Sequence, residues 1–183
     1  MDFRVNEYYS PEGMSTRHWG KAGWDFLFTS VLGSYPVEID MENQEHLKTR
    51  DAYRSMMESL CYTMPCIYCR ESYKIFIKEL PIDRFLSGRI KLMYWLYLIK
   101  DKVNKKLIAQ ELECISTERK KLMQSYKNNE ISAVEFNKMM EEKRKEIFYT
   151  KKSPPFEQVL KTYEKLRASC SPQQKSCAIL KTG

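Results

Sequence analysis

Residues 63–81, TMPCIYCRESYKIFIKELP, combine a closely spaced cysteine pair with a helical pattern. Cys66 and Cys69 are separated by two residues, and Pro65 directly precedes them. Because proline is tolerated at a helix start, we expect a helix that begins at about Cys66 and ends before Pro81. The apolar side chains that recur at helical spacing along it are Tyr73, Phe76, Ile77 and Leu80.

Three further segments around this helix carry the same periodicity. One lies within residues 18–36 and is stopped by Gly33 and Pro36, a second lies within 40–64, and another covers 87–107. Their apolar stripes are Trp24, Leu27, Phe28, Val31 and Leu32; Leu47, Tyr53, Met56, Met57 and Leu60; and Leu92, Trp95, Leu96, Ile99, Val103 and Leu107. No segment alternates with period two. The sequence therefore predicts an all-α bundle of four helices plus a short fifth.

Residues 108–150 differ in composition, since they are dense in charge and contain no Gly or Pro. The stretch KNNE at 127–130 interrupts them, and Ser132 with Glu135 has the spacing of a capping box. We therefore predict an inserted helical hairpin of two helices. Its apolar residues should pack on each other or on a partner: Leu112, Ile115, Leu122, Met123, Val134, Phe136, Met139, Met140 and Ile147.

The last helix should begin after residue 153, with Ser153 as its cap. Its apolar face comprises Phe156, Val159, Leu160, Tyr163 and Leu166. The predicted organisation is a flexible arm at 1–16, a bundle at 17–107 and 151–170, the hairpin at 108–150, and a Cys-containing tail at 171–183.

Composition indicates a soluble globular chain, with 43% hydrophobic and 30% charged residues among 183. The net charge of +7 favours acidic partners, but a solvated Lys-rich helical surface is the preferred explanation and no nucleic-acid motif is present. The sequence has neither a signal peptide nor a run of about 18 apolar residues. We therefore expect no membrane or nucleic-acid partner and a cytoplasmic location.

A pair such as Cys66 and Cys69 can hold a metal, cross-link the chain or move electrons. Structural zinc needs about four ligands, and the chain offers one C-x-x-C and two histidines, His18 and His46, in ordinary helical settings. We therefore expect no metal. A cysteine at a helix N-terminus favours the thiolate, and Arg70 adds positive charge, as does Lys74. Redox chemistry at a dithiol requires an acceptor for two electrons, and a flavin is one such acceptor.

Four motifs in order resemble the Erv/ALR-type flavin-dependent sulfhydryl oxidases, and most of all the versions of large DNA viruses. They are Trp19-Gly20 with Trp24 and Tyr35-Pro36; Pro65-Cys66-x-x-Cys69; Val103-Asn104-x-Lys106-Leu107; and the closing segment 151–170. Where the family has a histidine in the first helix this chain has Phe28, and Lys100-Asp101 replaces a His-Asn pair. Phe28 can stack on a flavin and Lys100 can reach a phosphate, or the flavin site has been lost.

The resemblance implies FAD as cofactor. The flavin-contacting positions it implies are Trp19, Gly20, Trp24, Phe28, Cys69, Lys100, Asp101, Val103, Asn104, Lys106, Lys152 and Tyr163. It also implies a homodimer formed through the first helices and, for a viral protein, a place in the host cytoplasm or virion.

The resemblance further implies a mechanism, in which Cys66 exchanges with protein dithiols, Cys69 faces the flavin, and oxygen becomes hydrogen peroxide. Cys170 and Cys177 are either a shuttle pair or a bond that braces the tail. Cys61, like Cys114, is expected to be an inert core thiol. The alternative function is a catalytically inactive family member that binds partners through the hairpin.

Overall fold

The computed structural model describes residues 13–168, and these residues form an all-α fold as predicted. Their α-helices are α1 Thr16–Ser34, α2 Gln44–Thr63, α3 Ile67–Glu79, α4 Arg89–Lys127, α5 Ala133–Ile147 and α6 Phe156–Glu164. A 3-10 turn covers Ile82–Phe85. Extended pairing among the described residues is limited to two isolated bridges, Gly13 with Cys66 and Glu38 with Gly88. No helix in this range is both long and apolar enough to cross a bilayer.

Local signals place the helix ends in the first half of the chain. Helix α3 begins directly after Cys66, which is its N-cap, and ends before Pro81, as predicted. Helix α2 begins after Asn43, whose side chain accepts hydrogen bonds from the backbone N–H groups of Glu45 and His46. These caps satisfy N–H groups that have no partner inside the helix.

Helix α4 differs from the prediction, because it runs without interruption for 39 residues. Its sequence contains no Gly or Pro between Arg89 and Lys127, so nothing breaks it at the expected boundary of 107 and 108. The first arm of the predicted hairpin is therefore the C-terminal part of α4. The turn comes at Asn129, whose φ of 57° asparagine tolerates well, and the capping box of Ser132 and Glu135 then starts α5 as predicted.

The chain divides into two compact units. Within the described range, the first unit comprises residues 13–99 and 154–168, and the second comprises residues 100–153. The boundary falls inside α4, so the predicted limits of 108 and 150 do not coincide with those of the second unit.

The first unit contains a continuous buried core. Its members are Phe28, Val31, Leu32, Tyr35, Tyr53, Met57, Cys61, Tyr73, Ile82, Leu86, Leu92, Met93, Trp95, Leu96, Ile99 and Tyr163. Two polar groups of this core have backbone partners: the Tyr35 hydroxyl donates to the Leu86 carbonyl at 2.6 Å, and the Trp95 indole N–H donates to the Leu80 carbonyl at 2.9 Å. Burial raises the pKa of Tyr35 to about 12. Most of the predicted stripes meet in this core.

The second unit buries much less. Of its described side chains, Met140 and Glu111 are the buried ones. The Glu111 carboxylate accepts a hydrogen bond from the Thr150 backbone N–H at 3.0 Å and another from the Thr150 hydroxyl. The predicted apolar contacts of the hairpin form only in part, since Leu112, Val134 and Met139 remain exposed.

Candidate functional site

The cysteine pair lies at the start of α3, and backbone geometry distinguishes its two members. Cys66 is the N-cap in an extended conformation, and its Sγ accepts a hydrogen bond from the Cys69 backbone N–H at 3.3 Å. Both side chains are partly exposed. An N–H group directed at a sulfur stabilises negative charge on it. Cys66 is therefore suited to be the sulfur of the pair that exchanges with an external thiol, because it is stabilised when it leaves as a thiolate.

Side-chain charges around the pair differ from the sequence expectation. The Arg70 guanidinium donates to the Met64 carbonyl at 2.7 Å. The Lys74 ammonium pairs with Glu71 at 2.8 Å, and this hydrogen bond raises the pKa of Lys74. Glu71 therefore compensates the positive charge that the sequence placed near the pair at Lys74.

A backbone segment that the sequence assigned to a flexible arm contacts the pair. Gly13 forms an antiparallel bridge with Cys66, and the Met14 backbone N–H donates to the Pro65 carbonyl at 2.5 Å. The Trp19 indole N–H in turn donates to the Met14 carbonyl at 3.1 Å. Residues 13–15 therefore precede α1 as an ordered connection, and Trp19, expected to contact the flavin, binds this connection.

Aromatic rings of the first unit surround Phe28. The ring of Tyr163 stacks on Phe28 with centroids 4.9 Å apart, and Trp24 lies 6.2 Å from Phe28. The Tyr163 hydroxyl donates to Asp25 at 2.9 Å, and burial together with this bond raises the pKa of Tyr163. Phe28 is 0% exposed and Tyr163 is 8% exposed, whereas Trp24 is partly exposed. Gly20 lies one turn before Trp24 in α1.

The residues of the fourth helix that were expected to contact the flavin belong to the second unit, and Ser153 forms hydrogen bonds with two of them. Its hydroxyl accepts a hydrogen bond from the Asn104 side-chain amide at 3.0 Å and also bonds Asp101. Burial would raise the pKa of Asp101, but the hydrogen bonds from Lys105 and Ser153 outweigh it and lower that pKa. Lys100, Val103 and Lys106 are partly exposed and Lys152 is exposed.

The prediction that Ser153 caps the last helix is wrong. Pro155 is the N-cap of α6, and no side chain caps this helix. Ser153 is bound instead to Asn104, a residue 49 positions away, which short-range capping rules do not detect.

The remaining cysteines fall into different environments. Cys61 is buried, and burial raises the pKa of its thiol. Cys114 is exposed, so the expectation that it is a core thiol is wrong. The predicted shuttle residues Cys170 and Cys177 lie outside the described residues. No group of three or more potential metal ligands occurs within residues 13–168.

The fold and the pair define a class, that of helical proteins with a dithiol motif at a helix N-terminus. Residues 21–127 match the Erv1 / Alr family, and the chain belongs to that family. Members of this family are FAD-linked sulfhydryl oxidases. Among solved structures, the chain is similar to the yeast Erv1 core, with 20% identity, 57% of this chain and 81% of that chain covered, and a TM-score of 0.44. A comparison with curated proteins gave no match.

Taken separately, each of the two units has residues that fit part of FAD in chemical type, with one exception. The partly exposed ring of Trp24 offers a surface on which a flat ring system can stack. Lysines at 100, 106 and 152 can neutralise phosphates. Phe28 is the exception, because a side chain with no exposed surface supports its neighbours rather than touching a ligand. The replacement of the family histidine by Phe28 is therefore accommodated by core packing.

Proposed function

We propose that the protein is an FAD-linked sulfhydryl oxidase that forms disulfides in protein dithiols and produces hydrogen peroxide. The observation that carries the proposal is the position of Cys66, which caps α3 and accepts the Cys69 N–H in a chain of the Erv1 / Alr family. Both sulfurs are partly exposed, so a client thiol can approach them.

Each cysteine has a distinct role in the exchange. A client thiolate attacks Sγ of Cys66 in the oxidised pair, so that the Cys66–Cys69 bond breaks, a client–Cys66 disulfide forms and Cys69 leaves as a thiolate. A second client thiolate then attacks the client sulfur, closes the client disulfide and releases Cys66 as a thiolate. Two electrons pass from the client to the pair, and the two client protons pass to solvent. The Cys69 N–H bond stabilises the Cys66 thiolate that is released.

Bound FAD supplies the transfer of this electron pair from the dithiol to molecular oxygen, which gives hydrogen peroxide. In the first unit we assign ring contact to Trp24, whose ring lies beside Phe28, and Tyr163 in turn stacks on Phe28. The resemblance adds Cys69, Trp19 and Gly20 to the proposed flavin contacts of this unit. In the second unit the proposed FAD-contacting residues are Lys100, Asp101, Val103, Asn104, Lys106 and Lys152.

Purified protein tests this assignment directly. We expect it to be yellow, to carry about one non-covalent FAD per chain, and to form peroxide from dithiothreitol and oxygen. Colourless protein that takes up no added FAD would overturn the proposal.

A second candidate function is that of a catalytically inactive family member which binds partners through the second unit. Two observations favour it: Phe28 replaces the family histidine, and the second unit exposes Leu112, Val134 and Tyr149. Colourless protein would support this candidate, whereas bound FAD with peroxide production excludes it.

We further propose a homodimer through the first helices, because α1 exposes Phe26. Light scattering should give twice the chain mass at micromolar concentration, and a monomer mass would contradict the proposal. The likeness to viral versions and the cytoplasmic location remain predictions.

A further inference from the structure

The contact between residues 13–14 and the cysteine pair bears on how clients are recognised. Pairing here uses main-chain atoms: the Met14 N–H donates to the Pro65 carbonyl, and Gly13 lies opposite Cys66 in an antiparallel bridge. Main-chain pairing accepts almost any sequence in extended conformation. The edge formed by Pro65 and Cys66 is therefore able to bind a strand.

The position opposite Cys66 also has the geometry needed for a disulfide. The hydrogen bond of this bridge joins the neighbouring residues Met14 and Pro65, so Gly13 and Cys66 are a non-hydrogen-bonded pair. In antiparallel strands the Cα atoms of such a pair are about 4.5 Å apart. Disulfides join residues whose Cα atoms are about 4.4–6.8 Å apart. A client cysteine that pairs opposite Cys66 in ordinary extended conformation would therefore lie within bonding range of the Cys66 sulfur.

Gly13 fits its place in a way that other residues cannot. Its φ is +87°, and a Cβ built on it would lie 2.0 Å from the Pro65 carbonyl oxygen. A client residue in ordinary extended conformation does not share that backbone geometry, so it needs Gly13 to be displaced first. The chain's own segment and the client thus compete for one edge.

Exposed apolar side chains flank this edge. Tyr62 is 77% exposed, Tyr68 is 67% exposed and Met14 is 62% exposed, while Ile67 follows Cys66 directly. Apolar side chains left in water beside a reactive pair favour apolar neighbours on a client. Unfolded segments offer such residues together with free main-chain groups, whereas folded domains bury them.

We propose that the main-chain edge of Pro65 and Cys66 binds an extended, unfolded client segment, with the client cysteine opposite Cys66, and that Gly13 and Met14 occupy this edge until the client displaces them. This inference rests on the proposed oxidase function. The client residue after the cysteine takes the place of Met14 and donates its N–H to the Pro65 carbonyl.

Peptides test the client side of the proposal on the unaltered protein. The probe is a linear Cys-x-x-Cys peptide flanked by Leu and Tyr, compared with the same peptide N-methylated at the residue after the first cysteine. Losing one hydrogen bond should lower kcat/KM about threefold to tenfold. N-methylation at the peptide's last residue is the matched control and should change nothing. Equal turnover of both peptides would assign recognition to side chains alone and overturn the proposal.

Two variants test the competing segment. Gly13→Ala introduces the clash with Pro65, and Met14→Pro removes the donated N–H. Each should lower KM for the peptide about threefold to tenfold, because a smaller fraction of the edge is occupied. KM for dithiothreitol, which has no main chain, should stay unchanged. Gly33→Ala is the control, since a Cβ there meets nothing within 4 Å.

An unchanged or higher peptide KM in folded Gly13→Ala and Met14→Pro would overturn the competition. If circular dichroism shows that neither variant folds, the comparison of N-methylated peptides on the unaltered protein still decides the matter. Failure of the oxidase function itself is distinguishable, because the unaltered protein would then leave dithiothreitol unoxidised.

Discussion

The two compact units are stabilised in different ways. In the first, side chains from α1, α2, α3, the first part of α4 and α6 form one buried cluster. In the second, Met140 and Glu111 are the buried side chains among those described. Ion pairs such as Lys121–Glu118 and Lys145–Glu141 lie on its surface. Exposed ion pairs contribute little, whereas burial of large apolar side chains contributes most of the stability. The unit with the dithiol is therefore the one with the larger buried apolar core.

Substitution of the cysteine pair has the largest expected effect and tests whether the chemistry belongs to the first unit. Cys66→Ser and Cys69→Ser should each lower dithiol oxidation at least about a thousandfold, because each removes one sulfur of the pair. Peroxide production from dithiothreitol measures this loss. Cys114→Ser, which removes an exposed thiol of the second unit, is the control and should retain activity.

The same variants separate the roles of the two sulfurs. When the client peptide is supplied in its disulfide form, the Cys66 thiolate of Cys69→Ser should attack it, displace one peptide sulfur as a thiolate and retain the peptide as a mixed disulfide visible by mass spectrometry, whereas Cys66→Ser should not. Adducts on Cys69 in the Cys66 variant instead would reverse the assignment. Full activity in either variant would make the pair structural.

A matched methionine pair tests the difference in packing. Met57 is 1% exposed in the first unit and Met140 is 7% exposed in the second. Met57→Ala should lower the free energy of unfolding by about 2–5 kcal/mol, and Met140→Ala by less than about 2 kcal/mol, since no other apolar side chain described in the second unit is buried. Urea unfolding followed by circular dichroism measures both. Equal costs would show that the second unit is packed as tightly as the first.

Acid stability tests the polar organisation of the second unit. The bonds from Lys105 and Ser153 lower the pKa of Asp101 below its usual 3.8 despite burial, so its ionised form stabilises the fold above that pH. This contribution is lost as the pH falls through the folded-state pKa. Asp101→Asn should therefore reduce stability near neutral pH and flatten its decline below about pH 4. Glu142→Gln removes an equal charge from an exposed site and serves as control; identical acid profiles for the two variants would contradict the assignment.

Removal of most of the second unit has the smallest expected effect on chemistry. Replacing residues 109–149 by a Gly-Ser linker keeps Asp101, Asn104 and Ser153 and should change kcat/KM for dithiothreitol by less than about twofold. Absorbance of bound flavin and peroxide production measure the outcome. Loss of both would place the segment in the catalytic core and remove the distinction between the units.

Sequence patterns predicted the first unit well, because its signals are local and strong. Pro65 before Cys66 placed the start of α3, and apolar periodicity found most of the residues that form the core. Amphipathic helices must bury their stripes, so a stripe is enough to predict which side faces inward.

The missed features depend on distant or main-chain contacts. The sequence did not predict that α4 is unbroken, because the apolar stripe weakens along the helix. A weaker stripe does not end a helix when no residue breaks it. The bond of Ser153 to Asn104 joins residues far apart in sequence, and the pairing of Gly13 with Cys66 involves no side-chain pattern. Phe28 belonged to the predicted apolar stripe of the first helix, but its stacking on Tyr163 joins residues far apart in sequence and was not predicted.

The burial of Cys61 has a practical consequence for chemical labelling. Alkylating reagents react with exposed thiolates, so under native conditions they should modify Cys114 quickly and Cys61 slowly. Modification of Cys61 then reports transient opening of the first unit. The redox state of the cysteine pair can be measured in the same sample. Quantitative mass spectrometry of Cys61 peptides would therefore distinguish preparations that lost activity by unfolding from those that lost it by oxidation.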